Sequence, residues 1–193
     1  AQDTLAVFEH FRAVNPTIGL WLNTNASGRD PGWWRSLAPL LKYCVFSIDG
    51  LEDTNHLYRR GTQWRRIMAS VEAFIGAGGK AEWEFLVFRH NEHQVEQARE
   101  LSARLGFRKF TTKRTERFID KGLLVEHKPV RDRGGALQYR LELPREDAYR
   151  NSALKSFDRR VRETNGYESY VAETAVDCKA LSGGKKQIYV SSE

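Results

Sequence analysis

Two cysteines, a single methionine and no apolar run near twenty residues define this 193-residue chain first by what it is short of. Cys44 and Cys178 cannot build a disulfide framework, and thiols this sparse fit a reducing compartment, so a cytoplasmic location is expected. A membrane-spanning helix needs about 20 consecutive apolar residues, so no membrane role is expected. The first residues, Ala1 to Thr4, lack the basic and apolar pattern of a signal peptide. They also lack an initiator methionine, since the only methionine is Met68, and such a start reads as a truncated one. No glycine-rich phosphate loop of either common kind is present, nor a serine elbow with histidine and aspartate partners.

What is present is ordinary for a folded domain: 40% hydrophobic and 29% charged residues exclude wholesale disorder. The formal net charge of +6 would suit an anionic partner, but the 25 acidic residues are interleaved with the 31 basic ones. A dedicated nucleic-acid role needs a clustered patch and is not favoured on charge alone.

Up to about Thr112 the pattern alternates between helix and strand. Leu5, Val7, Phe8 and Phe11 give a helix over Thr4 to Val14, and Ile18 to Thr24 reads as a strand. Asp30 before Pro31 is a helix start, with Trp34, Leu37 and Leu41 as the stripe behind it. Cys44 to Asp49 is a strand broken by Gly50. Thr62 is placed to cap a helix carrying Trp64, Ile67, Met68, Val71, Phe74 and Ile75. Ala81 to Phe88 is a strand. Asn91 with Gln94 suggests a capping box for a helix ended by Gly106, and Phe107 to Thr112 is a last strand. Alternation of this kind predicts an α/β fold with a parallel sheet and crossover helices. A first helix with no strand before it is odd in such a fold and suggests a removed upstream part. Residues 113–193 read as an irregular extension, with a hairpin and a short helix, in which Leu137, Tyr139, Leu141 and Leu143 share one face.

Side chains alternate across a strand. Cys44, Phe46 and Ile48 therefore form the helix-facing side, and Val45, Ser47 and Asp49 the other. Asn23 falls on that second side of the preceding strand. Short polar residues near the carboxyl ends of neighbouring parallel strands are where such folds bind ligands.

At this point the residues resemble a known family. Ser47-Ile48-Asp49-Gly50, followed by His56 and Arg60, resembles the fourth-strand signature of radical S-adenosylmethionine enzymes, in the branch with a cysteine-rich SPASM-type extension. Asn23-Thr24-Asn25 resembles the turn closing the strand before it, with Ala26 where the family has glycine. Asp177-Cys178-Lys179 and then Gln187-Ile188-Tyr189-Val190-Ser191 are similar to the entry of the SPASM-type region. The resemblance implies a partial parallel (β/α) barrel over 1–112, later strands only, and a truncated SPASM-like region within 113–193. It implies S-adenosylmethionine and a [4Fe-4S] cluster in the intact parent, with Asn23, Asn25, Ser47, Asp49 and Arg60 toward the cofactor and Cys178 as a cluster ligand. The family's three-cysteine loop is absent, so the chain as given is expected to be catalytically incompetent and to bind neither group. The implied substrate is a peptide or small molecule, and exposed sheet edges imply a homodimer.

Other signals point less far. His90 and His93 form an H-x-x-H that has too few neighbouring ligands for zinc and reads as surface. The basic stretch Arg108 to Arg117, interleaved with Phe107, Phe110 and Phe118, supports the alternative of a stand-alone basic α/β module binding nucleic acid or a phosphorylated ligand.

Overall fold

A computed structural model describes residues 4–120 and 123–174. Its centre is a four-stranded, wholly parallel sheet of β1 (Trp21–Thr24), β2 (Tyr43–Ser47), β3 (Ala81–Val87) and β4 (Lys109–Arg114), paired in chain order. Helix α1 (Thr4–Val14) precedes β1, and the helices between the strands are α2 (Pro31–Leu37), α3 (Asn55–Tyr58), α4 (Trp64–Gly76) and α5 (Val95–Leu105). The fold is mixed α/β.

One sheet face makes the core. Cys44, Phe46, Ile48, Trp83, Phe85 and Val87 are fully buried and pack against Trp34 of α2, Val71 and Phe74 of α4, and Ala98 of α5. Leu5, Phe8 and Phe11 of α1 lean on the same cluster, so the four longer helices cover a single face. The opposite face is mixed: Asn23 is exposed and Ser47, Glu82 and Glu84 are half-buried, alongside buried Val45 and half-buried Trp21, Tyr43 and Leu86. The register sets Asn23 beside Val45 and Ser47 beside Glu84, in rows across that face.

Local chemistry explains most boundaries. The Asp30 carboxylate accepts from Trp33 N at 3.1 Å, and Pro31 supplies the preset φ of a first helical residue. Gly106 ends α5 at φ 86°, a left-handed value that glycine adopts without strain. Three expectations need correction. β1 begins at Trp21 rather than Ile18. Thr62 does not cap α4, because its hydroxyl donates to Arg59 O at 2.6 Å. Asn91 and Gln94 form no capping box: Glu92–Gln94 is a 3-10 turn, and both side chains are used elsewhere.

Beyond β4 the chain holds more order than its composition suggested. A two-residue pair, β5 (Ile119–Asp120) with β6 (Leu123–Leu124), precedes the antiparallel hairpin β7 (His127–Arg131) and β8 (Leu137–Glu142). Two helices follow, α6 (Ser152–Glu163) and α7 (Tyr167–Glu173). A register shift at Val130/Arg131 breaks the expected common face of β8, leaving Leu137 48% exposed while Tyr139 and Leu141 are half-buried. Among the described residues, no helix is long and apolar enough to cross a membrane.

Candidate functional site

The stretch Ser47-Ile48-Asp49-Gly50 carries β2 out of the sheet at its carboxyl end. Gly50 has φ 151°, and a Cβ there would stand 2.6 Å from Asn55 N and 2.9 Å from the Thr54 carbonyl carbon. The chain can therefore fold back on itself, and Asp49 N donates to Asn55 Oδ1 at 2.9 Å.

Asp49 is 1% exposed and fully engaged. One carboxylate oxygen accepts from Leu86 N at 2.6 Å and the other from Arg59 Nε at 2.5 Å. Burial pushes this carboxyl above its ordinary range, while the Arg59 guanidinium and the Leu86 N–H pull it back. Asn91 Nδ2 donates to both Asp49 O (2.8 Å) and Leu86 O (3.0 Å), and its Oδ1 accepts from Phe88 N at 2.7 Å. Gln94 Oε1 accepts from Leu51 N at 3.0 Å and from the Thr54 hydroxyl, and its amide donates to Asp53. These bonds tie the end of β2 to the end of β3. The lattice is a satisfied buried network, which rigidifies a rim.

The expected cofactor-facing residues separate into two groups. Asn23 and Ser47 lie on the sheet face opposite the helices, and their side chains make no hydrogen bond among the described residues. The others have protein partners. Asn25 Oδ1 closes its own loop on Ser27 N (3.1 Å) and Ser27 Oγ (2.8 Å). Arg60 is exposed and holds the hairpin, donating to Arg131 O at 2.7 Å and Gln138 Oε1 at 3.0 Å. Nothing in the sequence signalled that Arg59, one residue earlier, is the arginine that meets Asp49. Ala26 sits at φ 58°, a left-handed conformation costly for any residue with a Cβ, and its N–H donates to Thr24 Oγ1 at 3.0 Å.

A four-iron cluster does not fit these cysteines. The whole chain has only two. Cys44 is fully buried on the helix side, where burial pushes its thiol far up and away from the thiolate that a cluster needs. Cys178 and the Gln187 to Ser191 segment lie outside the described residues. No group of three or more His, Cys, Asp or Glu that could hold a metal ion occurs among the described residues. A part-open concavity does exist beside α3, lined by Glu52, Asn55, His56, Thr62 and Trp64, but it contains neither Asn23 nor Ser47. Of the residues expected to face S-adenosylmethionine, Asn23 and Ser47 are the two whose side chains have no hydrogen-bond partner among the described residues.

The basic stretch is largely engaged within the fold. Arg108 pairs with Glu82 and lies over the Tyr43 ring, Lys113 meets Glu84 at 3.0 Å, and Arg114 Nε donates to Ala148 O. Arg117 lies over Tyr58.

His90 is not the surface residue expected. Its ring stacks on Phe88 at 5.4 Å, and its Nε2 is buried without a partner. Burial, and then the proximity of His56 and His93, push it down from 6.5 to about 4. The unfolded chain takes up this proton below pH 6.5, whereas the folded chain resists it until about pH 4. Stability is therefore full above that window and falls as the pH drops through it. The loss at this site should be about 1–2 kcal/mol, because the partly exposed ring still feels solvent. Urea melts at pH 7 and pH 4.5 should show it, and His90→Phe should flatten that part of the profile. An unchanged profile in the variant would assign the acid sensitivity elsewhere.

Compared with known proteins, the chain matches no protein-family model and no curated protein.

Proposed function

We propose that this chain is the later-strand part of a radical S-adenosylmethionine-type (β/α) barrel with an SPASM-like extension, supplying a cofactor-facing wall and not the redox centre. The observation that carries this reading is a parallel sheet in sequential order, packed on helices at one face and carrying Asn23, Ser47, Glu82 and Glu84 at the other. Parallel sheets are normally covered on both faces by helices or closed into a barrel around packed side chains. A doubly wound sheet would reverse its strand order and take helices on both sides. An arc of barrel does neither. The Ser47 to Gly50 turn, and the left-handed backbone at Ala26 where the family has glycine, support the same reading. Two cysteines, one of them sealed in the core, make the chain on its own catalytically incompetent.

The test is the coding sequence on both sides of residues 1 and 193. A three-cysteine loop upstream and further cysteines downstream are the expected result; a complete reading frame without them ends the proposal. In the longer protein, Ser47→Phe should weaken S-adenosylmethionine binding at least about tenfold in calorimetry, leaving the melting temperature within a few degrees. Equal affinity in the variant would remove Ser47 from the site.

A further inference from the structure

The concavity beside α3 is built by one run of chain, the turn, short helix and loop that lead from the carboxyl end of β2 into α4. Its floor is chemically closed. Asn55 is 2% exposed and engaged at both ends of its amide: Oδ1 accepts from Asp49 N at 2.9 Å, and Nδ2 donates to Thr62 Oγ1 at 3.1 Å. The Thr62 hydroxyl donates in turn to Arg59 O at 2.6 Å.

The walls differ from the floor. Glu52 and His56 make no side-chain hydrogen bond or ion pair among the described residues. The Trp64 ring stacks on no other ring and meets no guanidinium there, while the residue rests half-buried against the core cluster. Three groups therefore remain for a ligand: a carboxylate, an imidazole and an indole.

Their chemistry selects positive charge. A carboxylate and the face of an indole both attract a cation, and no lysine or arginine lines the concavity. The first turn of α4 brings the positive end of a helix dipole to the Trp64 side, but that amounts to about half a charge, against the full charge of Glu52. Size narrows the class. Sites for drug-sized molecules span roughly 300–1,000 Å³, and this one offers about 220 Å³. That is room for a headgroup-sized cation and not for a nucleoside. A metal ion is a poor match, since no group of three or more His, Cys, Asp or Glu that could hold one occurs among the described residues.

We propose that Glu52, His56 and Trp64 form a binding site for a small organic ammonium, its charge held between the Trp64 ring and the Glu52 carboxylate. The rigid Asn55–Thr62 floor keeps the three walls in place. The site contains neither Asn23 nor Ser47, so it goes beyond the cofactor reading, and either can fail alone.

Choline is a suitable probe. Titrated into this chain at low ionic strength and followed by NMR, it should move the Trp64 indole N–H and the amides around it saturably, with a millimolar Kd. The alcohol with a tert-butyl group in place of the trimethylammonium has the same shape without the charge, and should bind at least about tenfold more weakly. Glu52→Gln, at an exposed position, should weaken choline binding about threefold or more, and Trp64→Leu about tenfold. Should Trp64→Leu fold poorly, Trp64→Phe keeps a ring with a weaker pull on cations and should still lose about threefold. The proposal is overturned if the Trp64 indole does not respond, including because another part of the chain already fills the concavity. Equal affinity for the uncharged alcohol overturns it too, as does choline affinity unchanged by Glu52→Gln or by the Trp64 variant.

Discussion

Replacing Asp49 with alanine should lower the unfolding free energy by about 3–5 kcal/mol in urea melts at neutral pH. Breaking a buried ion pair by removing one partner is costly because the other is left without compensation. Arg59 is 27% exposed and can recover part of its solvation, which holds the value toward the lower end. Leu86 N, in contrast, donates to this carboxylate at 2.6 Å and loses that bond. Asn91 then anchors to a turn no longer pinned from the other side. The partner variant should behave differently. Arg59→Ala leaves a buried carboxylate that can take up a proton, and the double variant should cost clearly less than the two singles added, because they share one interaction. A loss below about 1 kcal/mol for Asp49→Ala would mean the carboxylate is held for a ligand and not for the fold. The distinction bears on function, since a carboxylate with both oxygens occupied contributes to a pocket by fixing where Ser47 stands.

The parts of this molecule legible in its sequence are those where local pattern and burial agree. The alternation in β3 is strict, every second residue buried, because one face packs on helices and the other does not. Thr4–Val14 shows its helix through Leu5, Phe8 and Phe11, and Asp30-Pro31 marks its own helix start without help from the rest of the fold. The side of the sheet holding Asn23 and Ser47 follows from the same alternation. What stayed hidden depends on distant partners. Asn91 and Gln94 have the spacing of a capping pair, but their amides face the Gly50 turn, some forty residues away along the chain, and a buried turn satisfies them better than a helix end does. Arg59 and Arg60 are equivalent as sequence. Only the fold sends one inward to Asp49 and the other outward to the hairpin. His90 is polar and loop-borne, yet its ring stacks on Phe88, which packs in turn against Tyr58.

Gly50→Ala should cost about 2–5 kcal/mol, which at the upper end rivals the loss of Asp49 although no partner is removed. Two effects combine. The backbone sits at φ 151°, which L side chains rarely adopt. The new Cβ also falls against Thr54 Oγ1, Asn55 N and the Thr54 carbonyl carbon, and the last two are backbone atoms that cannot swing aside. Thr54→Ala in the Gly50→Ala background should consequently restore less than half of the loss, since it clears the hydroxyl and leaves the peptide in place. Gly76 is the control: an added Cβ there meets nothing within 4 Å and φ is not positive, so Gly76→Ala near the end of α4 should be neutral or stabilising by up to about 1 kcal/mol. A Gly50→Ala chain that melts like the unsubstituted one would show that the turn has a second, roomier conformation. The hydrogen bond from Asp49 N to Asn55 would then be dispensable, and the rim beside Ser47 would be pliable rather than preformed.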